Sequence, residues 1–237
     1  MVRIYMPRII IYLQLFITSI LLSFNLNLHA AGMVPETSLL VIDEATRSGT
    51  INVKNTDPYP YLLYTNVVDL PDDEGPKVIV TQPVVRVEPG QTQQLRFIMQ
   101  ASTPLKNEHL KRVTFEGIPP QNTDYKNKIG MNIRQDIPML IRPETLPVVT
   151  DAWKTLSWSK KGHSYMVTNP GKYVVRLSSG VVFLPSKTLG EIKKTYILPG
   201  ETLDIVVKGD VTGDSKIEFF PASRYGVAVP SFTAVLN

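Results

Sequence analysis

Asp210, Thr212 and Asp214 place side-chain oxygens at alternate positions, the spacing at which a calcium loop supplies its first ligands. Such a loop also needs glycine at its sixth position and a bidentate acid at its twelfth, and those positions hold Ser215 and Pro221. The stretch Asp210-Val211-Thr212-Gly213-Asp214 therefore reads as a hairpin turn. Asp72-Asp73-Glu74-Gly75, bracketed by Pro71 and Pro76, reads as an exposed acidic turn. Of the three histidines, His29 falls in the leader, while His109 and His163 stand far apart, without zinc-site spacing or a partnered nucleophile. Neither G-x-S-x-G nor the phosphate-cradling G-x-x-x-x-G-K-[ST] occurs. The chain reads as non-enzymatic, with no metal and no cofactor.

Charge and cysteine content narrow the setting. Arg3 and Arg8 precede an apolar run from Ile9 to Phe24, interrupted only by Gln14, Thr18, Ser19 and Ser23, and the small residues Ala30, Ala31 and Gly32 follow. This is the three-part layout of a secretory signal over residues 1–31; the alternative, an uncleaved anchor, is short for a bilayer core of about 30 Å. Removing Arg3 and Arg8 with the signal lowers the formal charge from +4 to +2. The remaining cations are scattered and no aromatic-basic platform appears, so nucleic acid is not an expected partner. The chain has no cysteine, so its exported part must hold together by packing and backbone pairing, in a setting such as a bacterial periplasm.

The elements that must carry any function are short Val/Ile/Thr/Tyr-rich segments separated by Pro, Gly, Asn and Asp. The spacing predicts strands over Leu39–Ile42, Gly49–Asn55, Leu62–Leu70, Val78–Thr81, Val84–Val87, Gln93–Met99, Leu110–Phe115 and Ile129–Ile141, an antiparallel sandwich. Pro143 to Pro147 forms a stiff joint. The pattern then restarts at Leu156–Ser159, Tyr165–Thr168, Tyr173–Leu177, Val181–Leu184, Lys194–Leu198, Thr202–Val207, Ser215–Phe220 and Phe232–Leu236, a second sandwich. No helical stripe of comparable quality appears, and 19 prolines would interrupt long helices. The expected domains are residues 32–145 and 146–237.

The longest strand reads I-G-M-N-I-R-Q-D-I-P-M-L-I-R from Ile129 to Arg142. Strand side chains alternate in direction, so Ile129, Met131, Ile133, Ile137, Met139 and Ile141 fall on one face. A strand longer than the usual five or six residues can serve a partner as well as its own sheet.

Around Pro83 the chain reads Q-P-V-V-R-V-E-P-G-Q-T-Q-Q-L-R-F, a strand, a Pro89-Gly90 turn and a returning strand. Together with T-I-N-V-K-N at Thr50–Asn55, G-I-P-P at Gly117–Pro120, the Ile129 strand ending in I-R-P, Tyr165 to Asn169-Pro170, and Leu198-Pro199-Gly200, it resembles the periplasmic pilus-assembly chaperones of P and type 1 pili. The resemblance covers nearly all of the chain after the leader. It implies an all-β chain of two immunoglobulin-like β-sandwich domains arranged as a boomerang. It implies too that the first domain lends its last strand to a pilin subunit lacking one, by strand addition, and that the subunit passes to an outer-membrane usher. By resemblance the donor residues are Ile129, Met131 and Ile133; burying three such side chains contributes about 1.5–3 kcal/mol each before ordering costs. The short stretch from Pro119 to Lys128 matches the short-loop branch of the family.

Two departures stand out. The family's cleft arginine and lysine, which grip a pilin carboxylate, fall on Leu39 and Pro138, and neither can hold an anion. Arg134 is the substitute candidate, with a solvated strand arginine as the alternative. The family ties its domains with a glutamate, an arginine and an aspartate; Glu108 and Arg142 match the first two, and Arg224 stands in place of the third. These departures point to a divergent branch such as the common-pilus chaperones. The competing reading is a structural pilus or adhesin component built from two β-sandwich domains. The sequence leaves open whether the chain caps itself as a dimer.

Overall fold

The computed structural model describes residues 32–120, 133–223 and 229–237. The leader, Ile129, Met131 and Arg224 lie outside these residues. Among the described residues the regular structure is strand, apart from one turn of 3-10 helix at Ala152–Thr155.

The first domain contains β1 (Met33–Pro35), β2 (Leu40–Asp43), β3 (Ser48–Asn55), β4 (Tyr61–Val68), β5 (Lys77–Val80), β6 (Val84–Val87), β7 (Thr92–Gln100), β8 (His109–Ile118) and β9 (Arg134–Arg142). They pair in the order β5-β7-β3-β2-β9-β8-β4-β6, with β1 on β3. The link through β2 is narrow: it meets β3 only at Asp43↔Ser48, and then runs parallel to β9. The sheet thereby folds over on itself. Period-two alternation turns Ile51 and Val53 of β3 and Leu95 and Phe97 of β7 inward, against Leu63, Val113, Phe115, Met139 and Ile141. Each such fully buried side chain contributes about 1.5–3 kcal/mol.

The second domain contains β10 (Ser157–Lys161), β11 (Ser164–Thr168), β12 (Val175–Leu184), β13 (Leu189–Ile192), β14 (Tyr196–Ile197), β15 (Thr202–Val207), β16 (Lys216–Pro221) and β17 (Phe232–Val235). Its order is β10-β11-β15-β13-β12-β16-β17, with β14 on β12. Trp158 and Phe219 pack at 4.9 Å between ring centroids, and Tyr165 meets Phe183 edge-on at 5.1 Å.

Both domains use one device to fix a strand end. Asn55, fully buried, donates from Nδ2 to the carbonyls of Tyr59 and Val87, both at 2.9 Å, and its Oδ1 accepts the Asp57 N–H. Asn169 does the same with the carbonyls of Tyr173 and Ile197 and the Gly171 N–H. Each asparagine carbonyl accepts from a turn glycine, Gly90 or Gly200. Those glycines sit at φ of 72° and 78°, where a side chain is strained. A buried amide with its donors and acceptor matched specifies the turn as well as stabilising it.

Candidate functional site

The site follows from how β9 is paired. On one side β8 accompanies it from Glu116↔Arg134 to His109↔Ile141. On the other side β2 pairs only with Met139 to Arg142. Among the described residues, 134–138 therefore have a ladder partner on one edge alone. An unpaired strand edge is a template for another chain.

The side chains change along the same strand. Ile137, Met139 and Ile141 are core residues, whereas Ile133, of the same parity and one step before β9 begins, is 40% exposed. The inward stripe thus runs out of its own core just where the edge opens. The opposite face is covered at 138–140: Pro138 is buried, and Leu140 lines a cavity with Leu39 and Glu108 of the first domain and Val174 and Arg176 of the second. Leu39 and Pro138 are thus buried and apolar, with no group to bind an anion.

Arg134 faces outward and pairs with Glu116, its cross-strand neighbour, at 3.0–3.1 Å. This exposed pair occupies the guanidinium. Glu108 is buried; its Oε2 accepts the Val174 N–H at 3.0 Å, and its own N–H donates to the Lys172 carbonyl at 2.8 Å. Glu108 therefore binds the second domain through backbone groups. Arg142 is bound within the first domain, its Nε and Nη2 at 2.6 and 2.5 Å from Asp43 Oδ1 on the neighbouring β2. The reason is register: Asp43 and Arg142 are direct partners in the parallel ladder.

A second junction comes from the acidic stretch after β4. The sequence reads it as an exposed turn, and the structure binds most of it. Asp73 is buried, accepting the Leu110 N–H and contacting His109 Nδ1, both at 2.6 Å. Asp72 reaches the second domain, where it accepts from the Lys194 ammonium and from the Tyr196 hydroxyl at 3.1 Å; Lys194 also binds Glu201. Burial pushes the Asp72 carboxyl up, but the hydrogen bonds and charge of Lys194 outweigh it and hold the carboxyl below the usual carboxylate range. Lys194 is likewise opposed by burial and raised overall by Asp72 and Glu201.

Comparison with known proteins identifies this arrangement. Residues 32–147 match the family model for the pili and flagellar-assembly chaperone PapD N-terminal domain, and residues 151–233 match that for the pili assembly chaperone PapD C-terminal domain. The chain belongs to the PapD-type pilus-assembly chaperones. An uncharacterised fimbrial chaperone of Escherichia coli, YhcA, is 48% identical over 209 residues, 88% of this chain and 92% of the relative. The chaperone protein PsaB of Yersinia pestis is 27% identical over 223 residues, 85% and 77% of the two chains. Among solved structures, the Salmonella enterica SafA pilin in complex with the SafB chaperone matches with a TM-score of 0.72 at 21% identity, covering 88% of this chain and 98% of the other. Pseudomonas aeruginosa CupB2 chaperone matches at 0.68 and 22%, covering 86% and 100%. The family consists of chaperones, and this chain is not an enzyme.

In this chaperone the oxygens that suggest calcium are internally committed. Asp210 Oδ1 accepts the Thr212 N–H at 2.9 Å and the Thr212 hydroxyl at 2.7 Å, and Asp214 accepts the Ser186 N–H and hydroxyl at 2.8 and 2.6 Å. Sequence reasoning misses Asp72, Lys194 and Tyr196, because no local pattern links residues more than a hundred positions apart. It also misses Lys111, which is buried on the core face of β8 and runs its stem to Asp69 at the rim, 2.5 Å from the ammonium.

Proposed function

We propose that this chaperone works in the periplasm, with residues 1–31 as its export signal, and captures pilin subunits by lending them a strand. The observation that carries the reading is the half-paired β9: among the described residues 134–138 have no ladder partner on one edge, and Ile133 extends the inward stripe into solvent. A subunit missing one strand would pair with that edge and bury Ile129, Met131 and Ile133. Strand addition draws its energy from the partner's folding, so no nucleotide is required. Arg134 can exchange Glu116 for a carboxylate of the bound subunit, since an exposed pair costs only about 0–1 kcal/mol to break.

The captured subunit is then delivered to an outer-membrane usher. The outer face of β4, β6 and β8 supports such a docking step by exposing Leu62, Tyr64, Val84 and Ile118, an apolar patch that a partner would cover.

Co-expression with a candidate pilin in a periplasm tests the proposal. The two chains should co-purify one to one, and Met131→Asp with Ile133→Asp should abolish recovery of the pilin while leaving the chaperone folded. Unchanged recovery rejects strand lending.

A further inference from the structure

Gln135 interrupts the inward stripe of β9. The row of that parity reads Ile133, Gln135, Ile137, Met139 and Ile141, apolar at every other place. Pairing fixes the direction of the side chain: Gln135 is the cross-strand partner of Phe115 on β8, a fully buried core residue, and direct partners in an antiparallel pair share a face. Burial grades along the row, from Ile133 at 40% exposed through half-buried Gln135 to Ile137 at 8%. The amide therefore sits where the domain's own core ends, still open to water. It lies on the half of β9 whose second edge has no ladder partner among the described residues.

The outward polar groups of the same half are already matched. Arg134 pairs with Glu116, and Asp136 accepts from Arg112, whose Nε is 2.8 Å from Oδ1 and whose Nη2 is 3.0 Å from the Asp136 backbone oxygen. Gln135 differs: a subunit strand laid along the open edge would cover the inward row and take the amide out of water. A primary amide carries two donors and an acceptor, and burying it unmatched is unfavourable, whereas an apolar residue is indifferent to such matching. A site that hydrogen-bonds its partner rejects a partner lacking the matching group more strongly than an apolar pocket rejects a change of size. One polar residue among apolar neighbours therefore selects, where the rest of the stripe only adheres.

We propose that Gln135 is a specificity-determining residue of the lent strand, and that the subunits this chaperone takes carry a polar side chain at the end of their groove, hydrogen-bonded to the Gln135 amide. That side chain lies one inward position beyond the place filled by Ile133. The assignment rests on the strand-lending reading above and adds the chemistry that the partner's groove must present.

Two differently tagged chaperones, the parent chain and Gln135→Met, are to compete in one periplasm for a pilin that the parent captures. Methionine keeps the length and flexibility of the side chain and removes its hydrogen bonds. The parent should hold at least about fivefold more pilin, the equivalent of about 1 kcal/mol. Polar residues of the pilin groove are then replaced by valine one at a time. One replacement should equalise the two chaperones or favour Gln135→Met, which identifies the partner of the amide. The free Gln135→Met chaperone should melt within about 2 °C of the parent, because the side chain is only half-buried. Equal capture of the unaltered pilin by both chaperones overturns the proposal. So does a preference that survives every groove replacement, or that comes with a larger fall in melting temperature, since Gln135 would then serve the chaperone's own fold. Met131→Asp with Ile133→Asp keeps the two failures apart. Capture intact in that variant sinks strand lending, whereas capture lost there with equal competition by Gln135→Met sinks the Gln135 assignment alone.

Discussion

The two halves of β9 make a contrast within a single strand. From Met139 to Arg142 it lies between β2 and β8, with Met139 and Ile141 sealed in the core. From Arg134 to Pro138 its ladder partner among the described residues is β8 alone, and just before it Ile133 projects into solvent. The apolar parity is the same in both halves; the partner strand is what differs. One half is therefore held on both edges, and the other, among the described residues, on one.

The contrast can be broken by mutation, and the largest effect on stability belongs to the sealed half. Ile141→Ala removes a fully buried side chain and should destabilise the first domain by about 2–5 kcal/mol, read as a lower urea midpoint. A loss below 1 kcal/mol would mean that this half is not core.

The junction comes next. Asp72→Asn should weaken domain docking by about 1 kcal/mol, the upper end for a pair of this exposure. Because the folded Asp72 pKa lies below its unfolded value, its contribution is present above about pH 4 and is lost as pH falls through the folded pKa. Lys194, raised in the folded state, contributes below about pH 10 and loses that contribution as pH rises through its folded pKa. Acid titration of the melting temperature should therefore show a step in the parent chain that Asp72→Asn reduces. An identical step in both chains would assign it to other carboxylates.

Ile133→Asp should change stability by less than about 0.5 kcal/mol while reducing pilin recovery to background. Parallel losses of both would erase the difference between the halves. The smallest effect is Arg134→Ala, within about 0.5 kcal/mol in the free protein, because its pair with Glu116 is exposed. Any fall in pilin recovery for this variant would show that the arginine acts on the subunit.

Alternation made most strands legible, since Thr50–Asn55 and Gln93–Met99 repeat inward and outward residues without interruption. Where it fails, the cause is local. Ser178-Ser179-Gly180 divides the sequence into two apparent strands, yet β12 is continuous, with a register shift between Leu177 and Val181 that absorbs the extra residues as a bulge. β1 is three residues ending in Pro35, and β13 carries Gly190 and Glu191, too little pattern for either to show. The length and apolar stripe of the strand that includes β9 could be read from the sequence. The open edge could not, because it depends on where β2 stops pairing. The family resemblance assigns Arg142 to the tie between the domains; it binds Asp43, a contact set by the parallel register.

Amide hydrogen exchange across residues 134–137, with and without a co-expressed pilin, tests strand lending most directly. Fast exchange in the free chaperone of those 134–137 amides that point away from β8, and strong protection of the same amides in the complex, with 139–142 protected in both, is the predicted result. Equal protection of 134–137 in the two states would contradict it.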